Sequence, residues 1–228
     1  MKKSILFLAS IALILLATSA SYGQFHLWLG PNTGMNFNIH TGSDLPESGT
    51  GLGFVIGGEA KMMFTPMIGM ISRIQFYDNR SGSYSTTRTV QAGDGNNVAI
   101  TVDNSASIAY FMFEELFLLK LPKSNFFFVA GPAFGFSLEG TNEITEKITT
   151  PGYTFDGQNT TRKSKNSIKD MLARFELKFG AGYDFPITRE LCVSPNVTFG
   201  FGLTNVVSDV SYKVLTFQLL GTVKWQLM

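Results

Sequence analysis

From residue 34 onward, apolar and polar side chains alternate with a period of two. The last segment shows it most clearly. Phe217, Leu219, Val223, Trp225 and Leu227 fall on odd positions, and Thr216, Gln218, Thr222, Lys224 and Gln226 on even ones. Strict alternation gives a strand one apolar and one polar face. Leu191, Val193, Val197, Phe199, Phe201 and Leu203 repeat the pattern, as do Phe175, Leu177, Phe179, Ala181 and Tyr183. In the first half, Met35–Ile39, Phe54–Phe64 and Ile68–Phe76 do the same.

One stretch tests the pattern. EELFLLKLPKSNFFFVAGPAFGF (114–136) has the length and apolarity of a membrane-spanning helix, but Pro122, Lys123, Ser124 and Asn125 lie near its middle. Proline inside a helix costs roughly 3 kcal/mol, whereas at a hairpin corner it costs little. The stretch therefore reads as two strands and a turn. Phe111, Phe113, Phe117, Leu119 and Leu121 share one face before the turn, and Phe126, Phe128, Ala130, Phe134, Phe136 and Leu138 share one after it. Glu115 falls on the apolar face, and Leu116 and Leu118 on the polar one. A bulge at Glu114–Glu115 would restore the phase.

The pattern predicts eight antiparallel strands. Short connections at Thr65-Pro66, Pro122–Asn125 and Phe185–Glu190 alternate with long ones at 41–51, 79–107, 140–167 and 204–211. Short turns thus gather at one end and long loops at the other. The sequences STTRTVQ, NNVAITVDN and NEITEKITT keep some alternation, so strands are expected to continue into the two largest loops as a protruding sheet. Its open edge could pair with a partner.

Composition decides which face points outward. Only 15% of residues are charged, and there are 23 Gly and 21 Phe. The polar face is mostly Gly, Ser, Thr and Asn, a poor water-facing surface but a good crowded lumen. The apolar face is too bulky to pack inside eight strands, whose interior is only just wide enough for side chains. The expectation is all-β: an eight-stranded antiparallel transmembrane β-barrel. Trp28, Phe126, Tyr183 and Trp225 at the short-turn end, and Tyr77, Tyr110 and Tyr212 at the long-loop end, are expected to form aromatic girdles.

The first residues add a compartment. Lys2 and Lys3 precede an apolar run from Ile5 to Leu16, followed by small residues. This is the pattern of a secretory signal peptide. It divides the chain into residues 1–23, the signal, and 24–228, the barrel, with cleavage after Gly23 or Ala20. The expected location is the cell outer membrane, reached through the periplasm. No cysteine follows the run to carry a lipid anchor, and the single Cys192 forms no internal disulfide.

Segments 110–136 and 175–205, with GPNTGMNFN and GFVIGGEA, resemble the small outer-membrane β-barrel domain family of porin-like and PorT-type proteins. The resemblance implies the barrel fold and insertion by outer-membrane assembly machinery. Such barrels usually end on an aromatic residue; here Trp225 and Leu227 hold outward positions and the last residue is Met228.

A lumen charge network is expected from Glu59, Lys61, Arg73, Glu114, Lys120, Arg174, Glu176, Lys178, Asp184 and Lys224, because charges in a narrow lumen must pair. It would plug the barrel, which is then no general diffusion pore. No catalytic motif, metal cluster or cofactor fingerprint is found, so no enzyme, metal or cofactor is expected. His26 and His40 are the only histidines. A lipid-A-modifying enzyme would need His40 beside a nucleophile such as Ser43, with Asp44 near. The net charge of +1 gives no reason to expect nucleic acid. The expected partners are outer-membrane lipid and a protein or surface ligand at loops 79–107 and 140–167. The expected role is structural, adhesive or binding, with a secretion-system accessory barrel of the PorT type as the alternative.

Overall fold

A computed structural model describes residues 26–155, 157–208 and 210–227. The expected signal segment, 1–23, and its cleavage site lie outside the described residues. All regular structure among those described is strand. In chain order the elements are β1 (His26–Thr41), β2 (Gly49–Met63), β3 (Ile68–Gln91), β4 (Asn97–Lys120), β5 (Phe126–Ile148), β6 (Thr161–Ser167), β7 (Arg174–Tyr183), β8 (Phe185–Pro186), β9 (Leu191–Gly202) and β10 (Lys213–Gln226).

Eight of these form a closed antiparallel ring in the order β1-β2-β3-β4-β5-β7-β9-β10, with β10 returning to β1. Closure pairs Leu29 with Trp225 and Ile39 with Leu215. The hairpin expected at 114–136 is present, with its corner at 121–125 and Lys123 in the left-handed region (φ 57°).

The ring is inverted relative to a water-soluble barrel. Phe54, Phe76, Phe117, Phe136, Phe179 and Leu219 stand exposed outside, while Arg73, Arg80, Arg174, Glu114 and Glu176 are wholly buried inside. In water both placements would be unfavourable. In lipid an apolar exterior and a polar, internally paired lumen are the stable arrangement.

Glycine makes room in this lumen. A Cβ on Gly182 would run into the Phe127 ring and Asn196, and one on Gly200 into the Glu176 carboxylate. Two apolar clusters close the ends. At the short-turn end Met63, Ile71, Leu116, Leu118, Phe127 and Val129 pack together, with Trp28 against them. At the long-loop end Ile108, Tyr110, Met112, Val206, Tyr212 and Val214 do so, under Leu45, Ile168 and Met171 from the loops.

Three expectations change. First, no bulge separates Glu114 from Glu115. The β4–β5 register is the same at Glu114–Ala133 and Phe117–Ala130. Glu115 therefore faces outward, where it accepts a hydrogen bond from Ser72 Oγ at 2.6 Å. Leu116 and Leu118 turn inward because an apolar end cluster is there to receive them. Second, the irregularities of this sheet lie elsewhere: in β5, where Leu138 is extra between the Ala109–Glu139 and Tyr110–Ser137 pairs, and in β3, between Gln75 and Asp78. Phe76 and Tyr77 are both on the outside there, and the phase reverses beyond them. Third, the girdles are partly different. Phe126, Tyr183, Trp225 and Tyr77 keep outward positions, but Trp28, Tyr110 and Tyr212 belong to the end clusters. The phenol of Tyr212 has a lumen-side partner, His40, that lipid could not supply.

Candidate functional site

Two places gather chemistry: the lumen and the sheet that rises above it. The lumen charges form one connected chain. Lys61 pairs with Asp184, which also meets Lys224 Nζ at 3.3 Å. Lys224 donates to Glu59 at 3.1 Å, and Glu59 accepts from Arg73 Nε at 2.8 Å. Arg73 reaches Glu114 at 3.4 Å, and Glu114 accepts from Lys178 at 2.5 Å. Neutral amides carry the chain onward. Lys178 donates to Gln218 at 3.2 Å, Gln218 to Asn36 at 3.0 Å, and Asn36 to Asp78 at 2.5 Å. Asp78 pairs with Arg80, Arg80 with Glu176 at 3.2 Å, and Glu176 with Arg174 at 2.5 Å. Six cations and five carboxylates thus run from the short-turn end to the long-loop end.

Of the ten residues named from sequence, nine are in this chain. Lys120 is not. It is half-buried at the short-turn rim, and its ammonium makes no ion pair among the described residues. Asp78 and Arg80 belong to the chain but escaped the sequence reading, which placed the end of the strand before residue 79. The signal that could have found them is the doublet Phe76-Tyr77 followed by alternating Asp78 and Arg80.

Among the described residues neither histidine pairs with a serine side chain. His40 Nδ1 is hydrogen-bonded to the Tyr212 hydroxyl, and the Asp44 carboxylate accepts from the backbone N–H of Ser211 at 2.6 Å. His26, at the opposite rim, meets Gln226 at 3.2 Å. Cys192 is buried with its sulfur 3.5 Å from Ser194 Oγ. No group of three or more potential metal ligands is found among the described residues.

The second place is the protruding sheet. A membrane crossing needs roughly 9–11 residues of tilted strand. β3 and β4 have 24 residues each and β5 has 23. Their surplus continues past the ring, and β6 adds a fourth strand beside β5, from Thr141–Ser167 to Lys147–Thr161. β2 accompanies β3 only as far as the Thr50–Ser83 pair. Beyond it, one edge of β3 is open, and so is the far edge of β6, whose residues are all exposed.

The sheet is stiffened rather than loose. Glu146 on β5 binds Arg162 Nε of the adjacent β6 at 2.9 Å and Arg88 of β3, across β4, at 2.5 Å. Val98, Ile100 and Ile148 form a small apolar cluster on which Tyr153 and Phe155 fold back. The Tyr153 hydroxyl donates to Asp94 at 2.7 Å at the tip of the β3–β4 hairpin. Hydrogen bonds from Asn96 and Tyr153 hold the Asp94 carboxyl below its ordinary value. At the base of the sheet lies a recess of about 580 Å³ lined by Ser81, Ser83, Ser105, Ser107, Thr141 and Glu143.

The closed ring with an apolar exterior and a charged interior defines the class: an eight-stranded antiparallel β-barrel of the membrane type. Neither a protein-family model nor a curated protein sequence matches the chain. Solved structures are similar to it. Ail, the attachment invasion locus protein of Yersinia pestis, is 11% identical, covering 86% of this chain and 97% of that one, with a TM-score of 0.35. Neisserial surface protein A is 10% identical, covering 87% and 96%, with a TM-score of 0.38. CarO of Acinetobacter baumannii is 12% identical, covering 84% and 96%, with a TM-score of 0.36.

Proposed function

We propose that this protein is an outer-membrane barrel that binds or adheres through its protruding sheet, with a lumen closed to general diffusion and no catalytic role. The observation that carries the reading is the four-stranded sheet above the ring, fixed by its own ion pairs and apolar cluster and open at two edges. A rigid scaffold that lifts irregular surface away from the membrane is where recognition is usually placed. An open edge supplies main-chain donors and acceptors to an extended partner segment. The cations of β6 (Arg162, Lys163 and Lys165) and the charges of β5 would set which segment is accepted.

The test is a pair of register-preserving truncations. Residues 85–103 are replaced by Asn-Gly, joining Tyr84 to its partner Asn104, and residues 143–165 likewise, joining Asn142 to Asn166. Both variants should keep heat-modifiable gel migration, the mark of an intact barrel. Retention of cells on polystyrene and autoaggregation should fall to the level of cells lacking the protein. Unchanged adhesion with both truncations combined would remove the proposal.

The lumen reading supports a second expectation. Two apolar end clusters flank a connected charge chain in a ring of only eight strands. Recordings in planar bilayers should show no large, stable open conductance. A steady conductance in purified wild-type protein would contradict the closed lumen.

A further inference from the structure

At the short-turn end, below the lumen chain, lies a cavity of about 140 Å³. Lys61, Lys120, Arg189 and Lys224 line it, against the carboxylates of Asp184 and Glu190. Four cations therefore face two anions, and two positive charges are left over. The available carboxylates are already divided. Asp184 serves both Lys61 and Lys224, and Lys224 shares Glu59 with Arg73. Lys120 has no ion-pair partner among the described residues.

Two of these cations are also poorly hydrated, while Lys120 is half-buried and Arg189 exposed at the mouth. The side chains of Lys61 and Lys224 are 3% and 1% exposed. Lys61 Nζ lies 4.6 Å from the centre of the Phe127 ring and 6.0 Å from that of Trp28, so aromatic faces stand where water would otherwise be. Ammonium groups held apart from water at the mouth of a cavity attract an anion far more strongly than the same groups on an open surface.

We propose that this cavity is a binding site for a phosphate-class oxyanion. Its size fits: a cavity this large holds about four or five waters, comparable to a single phosphate. Its charge fits as well, since two uncompensated positive charges match a dianion better than a monocarboxylate. Lysine ammoniums from three different strands (β2, β4 and β10) converge on it, with Arg189 closing it from the loop after β8. In the membrane reading above, the site faces the periplasm, so both free phosphate and a phosphate-bearing envelope component could reach it. The shared chemistry is the tetrahedral dianion.

The test uses the full-length mature protein in detergent at constant ionic strength. Equilibrium dialysis with radiolabelled inorganic phosphate should give one saturable site per chain. Sulfate should compete, whereas acetate at the same concentration should not. Lys120→Gln removes a cation that no internal ion pair uses, so the barrel should stay intact by heat-modifiable migration while phosphate affinity falls about tenfold. Lys123→Gln, on the same turn but outside the cavity lining, should leave affinity unchanged. In a Trp225→Phe background, Trp28 is the only tryptophan left, and its fluorescence should titrate with the same midpoint. Absence of saturable phosphate binding, equal competition by acetate, or equal losses in Lys120→Gln and Lys123→Gln would each overturn the proposal. To separate free phosphate from a lipid source, phosphatidic acid in mixed micelles is compared with phosphate: stronger competition by the lipid points to a headgroup, and weaker competition to the free anion.

Discussion

Glu114→Gln should lower the unfolding free energy of the barrel by about 3–5 kcal/mol, the usual cost of leaving one member of a buried ion pair alone. The substitution keeps the shape of the side chain and removes only its charge. Lys178 then stays 1% exposed with a neutral amide, Gln218, and no carboxylate. Arg73 is affected less, because Glu59 still accepts from its Nε at 2.8 Å. Reversible urea unfolding in detergent or short-chain lipid would measure the loss. The companion variant separates charge pairing from packing: Glu114→Gln with Lys178→Met should recover most of the stability, since a buried pair can be replaced by neutral groups at little cost. A single variant as stable as wild type would show that water or a neighbouring acid compensates the lysine, and the lumen chain would then be no structural plug.

Phe179→Arg should destabilise the protein by about 2–4 kcal/mol when it is folded into a lipid bilayer, the penalty for arginine near the midplane of a barrel's lipid face. Phe179 is 52% exposed on the outer wall, midway along β7, opposite Phe199 and Ala130 on the strands beside it. In a water-soluble barrel the same exposed position would accept arginine within about 0.5 kcal/mol. The sign and size of the effect therefore report the solvent around the ring. Ser85→Arg, on the exposed outer surface of the protruding sheet, should have little effect in the same lipid. Equal, small effects at both positions would contradict a lipid-facing wall.

The ring was legible because alternation is a local property. Each of the eight strands carries its own two-residue period, and a turn residue such as Pro122 marks where one ends. What could not be read were the points at which neighbours decide the phase. Glu115 looks misplaced on an apolar face, yet Ser72 directly across the strand pair gives it a hydrogen bond at 2.6 Å. Leu116 and Leu118 look misplaced on a polar face, yet Ile71, Phe127 and Val129 meet them inside. Asp78 and Arg80 were hidden by the extra outward residue at Phe76–Tyr77, which reverses the pattern before it resumes. Most of the lumen charges were named from sequence, but their order along the chain depends on strand register, and register is set by closure. The protruding sheet was foreshadowed by residual alternation in the long loops. β6, with the polar sequence TRKSKNS, gives no apolar signal of its own.

Closure also sets the order of events in folding. The ring is completed by β1 and β10, which lie at opposite ends of the described chain and pair from Trp28–Gln226 to Thr41–Lys213. This is the longest-range pairing among the described strands, and it is slow to form relative to the hairpins. Without it the sheet is an open ribbon that lacks the contacts across the β1–β10 seam. Lys224 on β10 meets Glu59 on β2 only across β1. The pair that Lys224 makes with Glu59 therefore waits for both ends of the described chain, whereas those of Arg73 with Glu59 and Glu114 lie between consecutive strands.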